Sequence, residues 1–407
     1  MSSINHSSTN ASGLDPERIL AELIAIPSVN PMGMPYADPP YLETQLTNYL
    51  QDLFDRIGLP WERQTVAPGR DNIFARLDSA LPPRDGGRLI LLDAHQDTVQ
   101  VDGMDIPPWT PTIREGRIYG RGSCDTKGGM AAMLAAVDRL IKERPANMPT
   151  IILGCSMNEE FGATGAAAYE DFWQSEAQSI FERPPDAAII MEPTDLNVVV
   201  AHKGTVRWPC RTHGLAVHSS RPELGRNAIY AMRHVLNAVE AYQRQVCPTL
   251  PGHPLCGRPT VNVGLISGGR GINTVADECR IVIERRITPF EELDSARREV
   301  IDYIAGSVPD NLHIEHDAPL TSGGPLSDEG NEALADKLLH CAEGVQSGRT
   351  KTALTGGSNA GKIAPWGVPC VLFGPGSINQ AHTRDEWLPL SELHQAVEIL
   401  YRFCREG

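Results

Sequence analysis

Residues 88–97 read RLILLDAHQD, an apolar run that breaks abruptly into a histidine, a glutamine and an aspartate. A short, uninterrupted apolar segment bounded by polar residues is the pattern of a strand buried on both faces, so Arg88–Ala94 is predicted as a β-strand. Open α/β sheets bind ligands beyond the carboxyl ends of their strands, and the polar side chains stand at that end.

The flanking sequence extends the pattern. Pro16–Leu23 and Tyr41–Ile57 read as helices. Lys127–Glu143 sets Met130, Met133, Leu134, Val137, Leu140 and Ile141 on one helical face, which makes these methionines core. Further apolar strands follow at Thr150–Met157, Ala187–Met191 and Val198–Ala201. Such alternation predicts an α/β fold, a mostly parallel mixed sheet flanked by helices.

After residue 202 the texture changes. Strands at Thr205–His213, Thr260–Ile266, Glu278–Arg286 and Leu312–His316 alternate with helices at Asn227–Arg244 and Leu293–Gly306, which predicts a separate α+β insert over residues 203–318. The turn-rich stretch Leu320–Asp328 then leads back to helix, strand and helix, ending with an apolar face on Leu390–Phe403. The first unit is thus expected to comprise residues 13–202 plus 319–407, with residues 1–12 a disordered lead-in.

Composition excludes some roles. With 51 acidic against 36 basic residues among 407, the formal charge of -15 disfavours nucleic acid and anionic membranes as partners. The nine cysteines are scattered without a CxxC clip, so reduced thiols are expected. No signal peptide is readable and no apolar run approaches the ~18 residues that span a bilayer, which points to the cytoplasm.

The chemistry gathers just after predicted strands. His95 can offer one imidazole nitrogen to a metal while Asp97 fixes the other N–H. Asp125, on a Gly-rich turn before a helix, could bridge two cations. Glu159 and Glu160 are adjacent acids that ionise together only where a cation or solvent screens them; one suits a ligand and the other a general base. Glu192 and His382 follow two more strands. Each has a plainer reading alone: a satisfied core histidine, a helix N-cap, exposed acids, loop residues. Together they can complete two zinc sites sharing a water. Cys124 reads as a small buried thiol rather than a ligand. There is no HExxH helix, no P-loop and no GxSxG elbow, since Gly356–Ala360 fails at its last position.

In this order, HQDTV, GRGSCDTKGGMAAM, NEE, MEPTD, VHSSRPELGRNAI and GPGSINQAHTRDEW resemble the two-zinc family of acetylornithine deacetylase, succinyl-diaminopimelate desuccinylase, aminoacylases and glutamate-type carboxypeptidases. The resemblance spans about Gly13 to the C terminus and implies a zinc exopeptidase-like catalytic domain with an inserted dimerisation domain. It implies two Zn2+, with Co2+ or Mn2+ as substitutes: one on His95 and Glu192, the other on Glu160 and His382, with Asp125 bridging and Glu159 as base. It further implies a homodimer in which His218 stabilises the oxyanion of the neighbouring subunit, and substrate-carboxylate contacts from Asn273 and Arg286. Arg285 competes for that last role, and strand alternation lets only one of the two arginines face inward. The implied activity, in amino-acid metabolism, is hydrolysis of an N-acyl amino acid, with a dipeptidase or carboxypeptidase as the alternative and a non-catalytic metal-binding module as a remote one. Gln96 and the loop DIPPWT (residues 105–110) depart from the family pattern and bear on substrate choice.

Overall fold

The computed structural model describes residues 13–406, so the expectation for residues 1–12 lies outside the described residues. An eight-stranded sheet forms the larger layer, in the order Trp61–Ala67, Arg70–Leu77, Thr150–Ser156, Leu89–His95, Ala187–Ile190, Cys370–Leu372, Val198–His202, Lys351–Leu354. Four of its seven pairings are parallel, including the three at its centre.

Strand periodicity explains why these segments are apolar throughout. In Leu89–His95, Ile90, Leu92 and Ala94 enter one core while Leu89 and Leu91 enter the other. Both sheet faces are therefore dry, and no polar alternation remains to be read. One face is covered by Pro16–Ile24, Thr44–Ile57, Lys127–Glu143, Glu332–Glu343 and Leu390–Arg405; the other by the short helices Thr164–Ala167, Tyr169–Trp173 and Ala360–Ile363.

A second sheet runs Thr260–Gly268, Glu278–Ile287, Gly204–His213, His313–His316, with Thr321–Gly323 pairing the start of Gly204–His213. Helices Ala228–Ala241 and Leu293–Ser307 pack on one face around Trp208, Met232, Ile281 and Val300. Thr260–Gly268 lies at an edge with Leu265 and Ile266 exposed.

Several boundaries differ from the sequence reading. The helix expected from Tyr41 starts at Thr44, because Leu42 takes φ 66° and the buried Glu43 carboxylate engages Arg70. Asn227 caps Ala228–Ala241 through Ile229 N and Tyr230 N, and a wider turn, Tyr242–Val246, replaces the last part of the expected helix. A three-stranded sheet of Trp387–Pro389, Arg117–Tyr119 and Thr112–Arg114 had no periodic signal, being built from three-residue strands. Among the described residues no helix is long and apolar enough to cross a membrane.

Candidate metal centre

Strand order turns distant sequence positions into neighbours. Thr150–Ser156, Leu89–His95, Ala187–Ile190 and Cys370–Leu372 are consecutive and mutually parallel, so their carboxyl ends open on one sheet edge. Glu159, Glu160, His95, Glu192 and the loop bearing His382 all emerge there. Asp125 arrives from the turn before Lys127–Glu143, where the Asp125–Thr126 peptide is cis.

Asp125 is the centre of the cluster. Its Oδ1 lies 3.0 Å from His95 Nε2, and its Oδ2 lies 3.2 Å from His382 Nε2, which is 3.3 Å from Glu160 Oε2. Two ligand sets result, His95–Asp125–Glu192 and Asp125–Glu160–His382, each with ligand atoms within 4.8 Å of one another. The structure thus brings together all five residues expected to hold cations, and Asp125 belongs to both sets.

Electrostatics fit that use. Burial pushes the Glu159 carboxyl up to about 8, with Glu160, Asp97 and Asp125 adding and His95 opposing. Burial likewise raises Glu160 and, more strongly, Glu192. Hydrogen bonds to Asp125 and Glu160 hold His382 up at about 11. Burial opposes a charge on His95, but Asp125 keeps its ring well above the ordinary range. Ring protons thus supply positive charge that the crowded acids demand. Glu160 Oε1 and Glu192 Oε1 are nonetheless buried without a hydrogen-bond partner. Orphaned carboxylate oxygens in a nitrogen-and-oxygen ligand set are what divalent cations such as zinc, cobalt or manganese would satisfy, displacing the ring protons.

The supports are partly unexpected. His95 Nδ1 bonds the backbone carbonyl of Asp97 at 2.8 Å, while the Asp97 carboxylate stays 3.8 Å away. That carboxylate instead accepts Glu159 N at 3.0 Å, Glu160 N at 3.1 Å and Asn30 Nδ2 at 2.7 Å. Asp97 therefore holds the backbone of the two glutamates rather than the imidazole. Behind it, the buried Glu43 takes Arg70 Nε at 2.8 Å and Asn158 N at 3.1 Å. Asn158, at φ 59°, is pinned further by Asn30 and Arg70 on its Oδ1. The sequence reading missed Asn30, Glu43 and Arg70 because no local spacing links them to the glutamates. Glu386, inside the quoted GPGSINQAHTRDEW, was also passed over, although an acid just beyond a ligand histidine was a readable signal.

Among the described residues, none of the candidate residues from the second sheet and its loops hydrogen-bonds or ion-pairs with the cluster. His218 is exposed, and its ring bonds only Ser220 among the described residues. Asn273 is beside it, its carbonyl accepting Ser219 N at 3.0 Å. Alternation separates the two arginines: Arg285 is buried against Glu291 at 2.6 Å, whereas Arg286 on the opposite face pairs with Glu284 at 2.8 Å. Gln96 is a strut, receiving Thr47 Oγ1 and donating to the carbonyls of Asp71 and Cys155.

Residues 91–406 match the model of Peptidase family M20/M25/M40. The chain is 30% identical to an acetylornithine deacetylase of Proteus mirabilis, covering 93% of each sequence. It is 27% identical to an N-formyl-4-amino-5-aminomethyl-2-methylpyrimidine deformylase of Halalkalibacterium halodurans, over 95% of this chain and 93% of that one. The fold superposes on an M20 family metallo-carboxypeptidase of Sulfolobus solfataricus with a TM-score of 0.75 at 18% identity, covering 96% of this chain and 99% of that one. With its doubly used aspartate at the carboxyl edge of the parallel strands, the chain belongs to Peptidase family M20/M25/M40, a family of amide-cleaving hydrolases.

Proposed function

We propose that this protein hydrolyses the amide bond of an N-acyl amino acid, with acetylornithine the leading candidate, using two divalent cations, zinc foremost. The observation that carries the reading is Asp125 shared between two ligand sets, with a further acid, Glu159, whose pKa is raised to about 8 beside them. When bound, the cations would acidify a water and polarise the acyl carbonyl. Glu159 takes the proton of the attacking water and delivers it to the departing amine. Asp97 keeps Glu159 in place through its backbone N–H. Arg286 and Asn273 receive the substrate carboxylate, a task that suits an arginine fork.

His218 completes the site of a second subunit and stabilises the oxyanion there. Its exposure and its lack of contact with its own cluster support this, as does an exposed apolar surface on the insert comprising Tyr230, Leu265 and Ile266 beside an unpaired strand edge. A homodimer through that edge is the proposed assembly. The buried, unpaired cysteines support a reducing, cytoplasmic setting.

The test is release of free amine from N-acetyl, N-succinyl and N-formyl amino acids and dipeptides, using cation-loaded and chelated protein. Preferred, cation-dependent cleavage of N-acetylornithine is expected. A dipeptide preference would assign the protein to the peptidase branch, and no turnover of any substrate would overturn the proposal.

A further inference from the structure

Glu386 lies outside both ligand sets yet is fully buried and accepts four hydrogen bonds. Its Oε1 takes Cys124 N at 2.9 Å and Asp125 N at 3.0 Å; its Oε2 takes Gly122 N at 3.0 Å and Arg121 Nη1 at 2.7 Å. Its backbone carbonyl accepts Gly120 N at 3.1 Å. The turn 120–125 is therefore wrapped around one carboxylate. Burying that charge is tolerable only because a guanidinium and three amides surround it, which also makes its position stringent. Among the described residues the Asp125 side chain has no comparable anchor, its oxygens being bonded only by the rings of His95 and His382. Where the shared carboxylate sits is consequently decided by its backbone.

The same short stretch, His382 to Glu386, carries a ligand of one set and the clamp on the residue common to both. It is itself tied down, with Arg384 O accepting Asp105 N at 2.8 Å and Trp387–Pro389 paired to Arg117–Tyr119. We infer that Glu386 is a positioning residue that seats Asp125 and makes the two cation sites one cooperative unit with the His382 loop. This rests on the reading that the cluster holds two cations. Loss of the clamp should weaken both sites together, whereas loss of His382 should weaken chiefly one.

The experiment titrates cation-free, full-length protein with Co2+, following heat and visible absorption, for wild type, Glu386→Gln, His382→Ala and the core variant Val137→Ala. The amide in Glu386→Gln keeps the size but turns an N–H2 toward two of the four donors. Expected are two ions on wild type, one weakened site in His382→Ala, and both weakened by roughly 10- to 100-fold in Glu386→Gln, the usual effect of losing a group that orients a ligand. Val137→Ala should lower the melting temperature without changing either affinity. Amide exchange at residues 122–125 should also be faster in cation-free Glu386→Gln than in wild type. If Glu386→Gln does not fold, Glu386→Asp, which keeps the charge but shortens its reach, should show smaller losses at both sites. Two ions bound with wild-type affinity by Glu386→Gln, or by Glu386→Asp in its place, would overturn this inference alone. A wild type that takes up no ion would overturn the cation reading with it.

Discussion

At the scale of single residues, Glu159 and Glu160 are neighbours in sequence to which the proposed function gives different tasks. Glu160 faces His382 and belongs to a ligand set, while Glu159 belongs to neither. Glu159→Gln should lower kcat by roughly 10²- to 10⁴-fold, the usual worth of a general acid–base group, while retaining both cations. Steady-state kinetics with cation analysis checks both parts, and undiminished turnover would remove Glu159 from the mechanism. His202 offers a separate test away from the cluster. It is fully buried between the Lys203 carbonyl and Ser358 Oγ, and burial lowers its pKa to about 4. The unfolded chain, titrating near 6.5, then binds the proton that the folded chain refuses between pH 6.5 and 4. Stability should therefore fall with acidity across that window, by up to ~3 kcal/mol from this one group. Urea titrations should show a flatter pH dependence over that range in His202→Asn than in wild type.

At the scale of elements, the helix Lys127–Glu143 carries two glycines in its first turn, Gly128 and Gly129, that propensity alone would disfavour. Packing explains them: a Cβ on Gly128 would stand 2.5 Å from the Ser123 carbonyl oxygen and 2.6 Å from Leu388 Cδ2. On Gly129 it would meet Met191 Cβ at 2.8 Å, one residue before the candidate ligand Glu192. The helix thus approaches the strand ends closely enough to hold Asp125 among them. Gly128→Ala, stabilising in an ordinary exposed helix, should here cost ~1–3 kcal/mol by overpacking. Chemical denaturation measures it, and a stabilised variant would contradict the close approach.

At the scale of the whole molecule, the proposed homodimer, with His218 serving the neighbouring site, makes two predictions. Leu265→Lys with Ile266→Glu should yield a monomer by sedimentation that binds two cations but turns over little. Mixing Glu159→Gln and His218→Ala subunits gives a sharper readout. Each mixed dimer carries one intact site, so random reassortment should restore about a quarter of wild-type activity from two nearly inactive parents. Absence of recovery after verified subunit exchange would place His218 outside the neighbouring site.

Much of this molecule was legible in one dimension. Dry strands such as Leu89–His95 and the apolar face of Lys127–Glu143 are local patterns, and a histidine or acid in the segment after a strand or in the turn before a helix is local too, so the α/β layer was legible and the five cation-binding candidates could be marked, each with a plainer reading of its own. Strand order was not local. Only the folded sheet brings the ends of Thr150–Ser156, Leu89–His95, Ala187–Ile190 and Cys370–Leu372 side by side, and only there does Asp125 fall between two histidines. Asp97 was marked in the sequence, though for the His95 ring, and Glu386 stands just beyond His382, but what the supporting carboxylates hold was hidden for the same reason as the strand order. Asp97, Glu43 and Glu386 act on backbone amides 62, 115 and 261 residues away, at Glu159, Asn158 and Asp125 respectively. A hydrogen bond over such a span leaves no spacing in the chain; it exists because burial strips water from a charge and leaves those amides as its nearest donors.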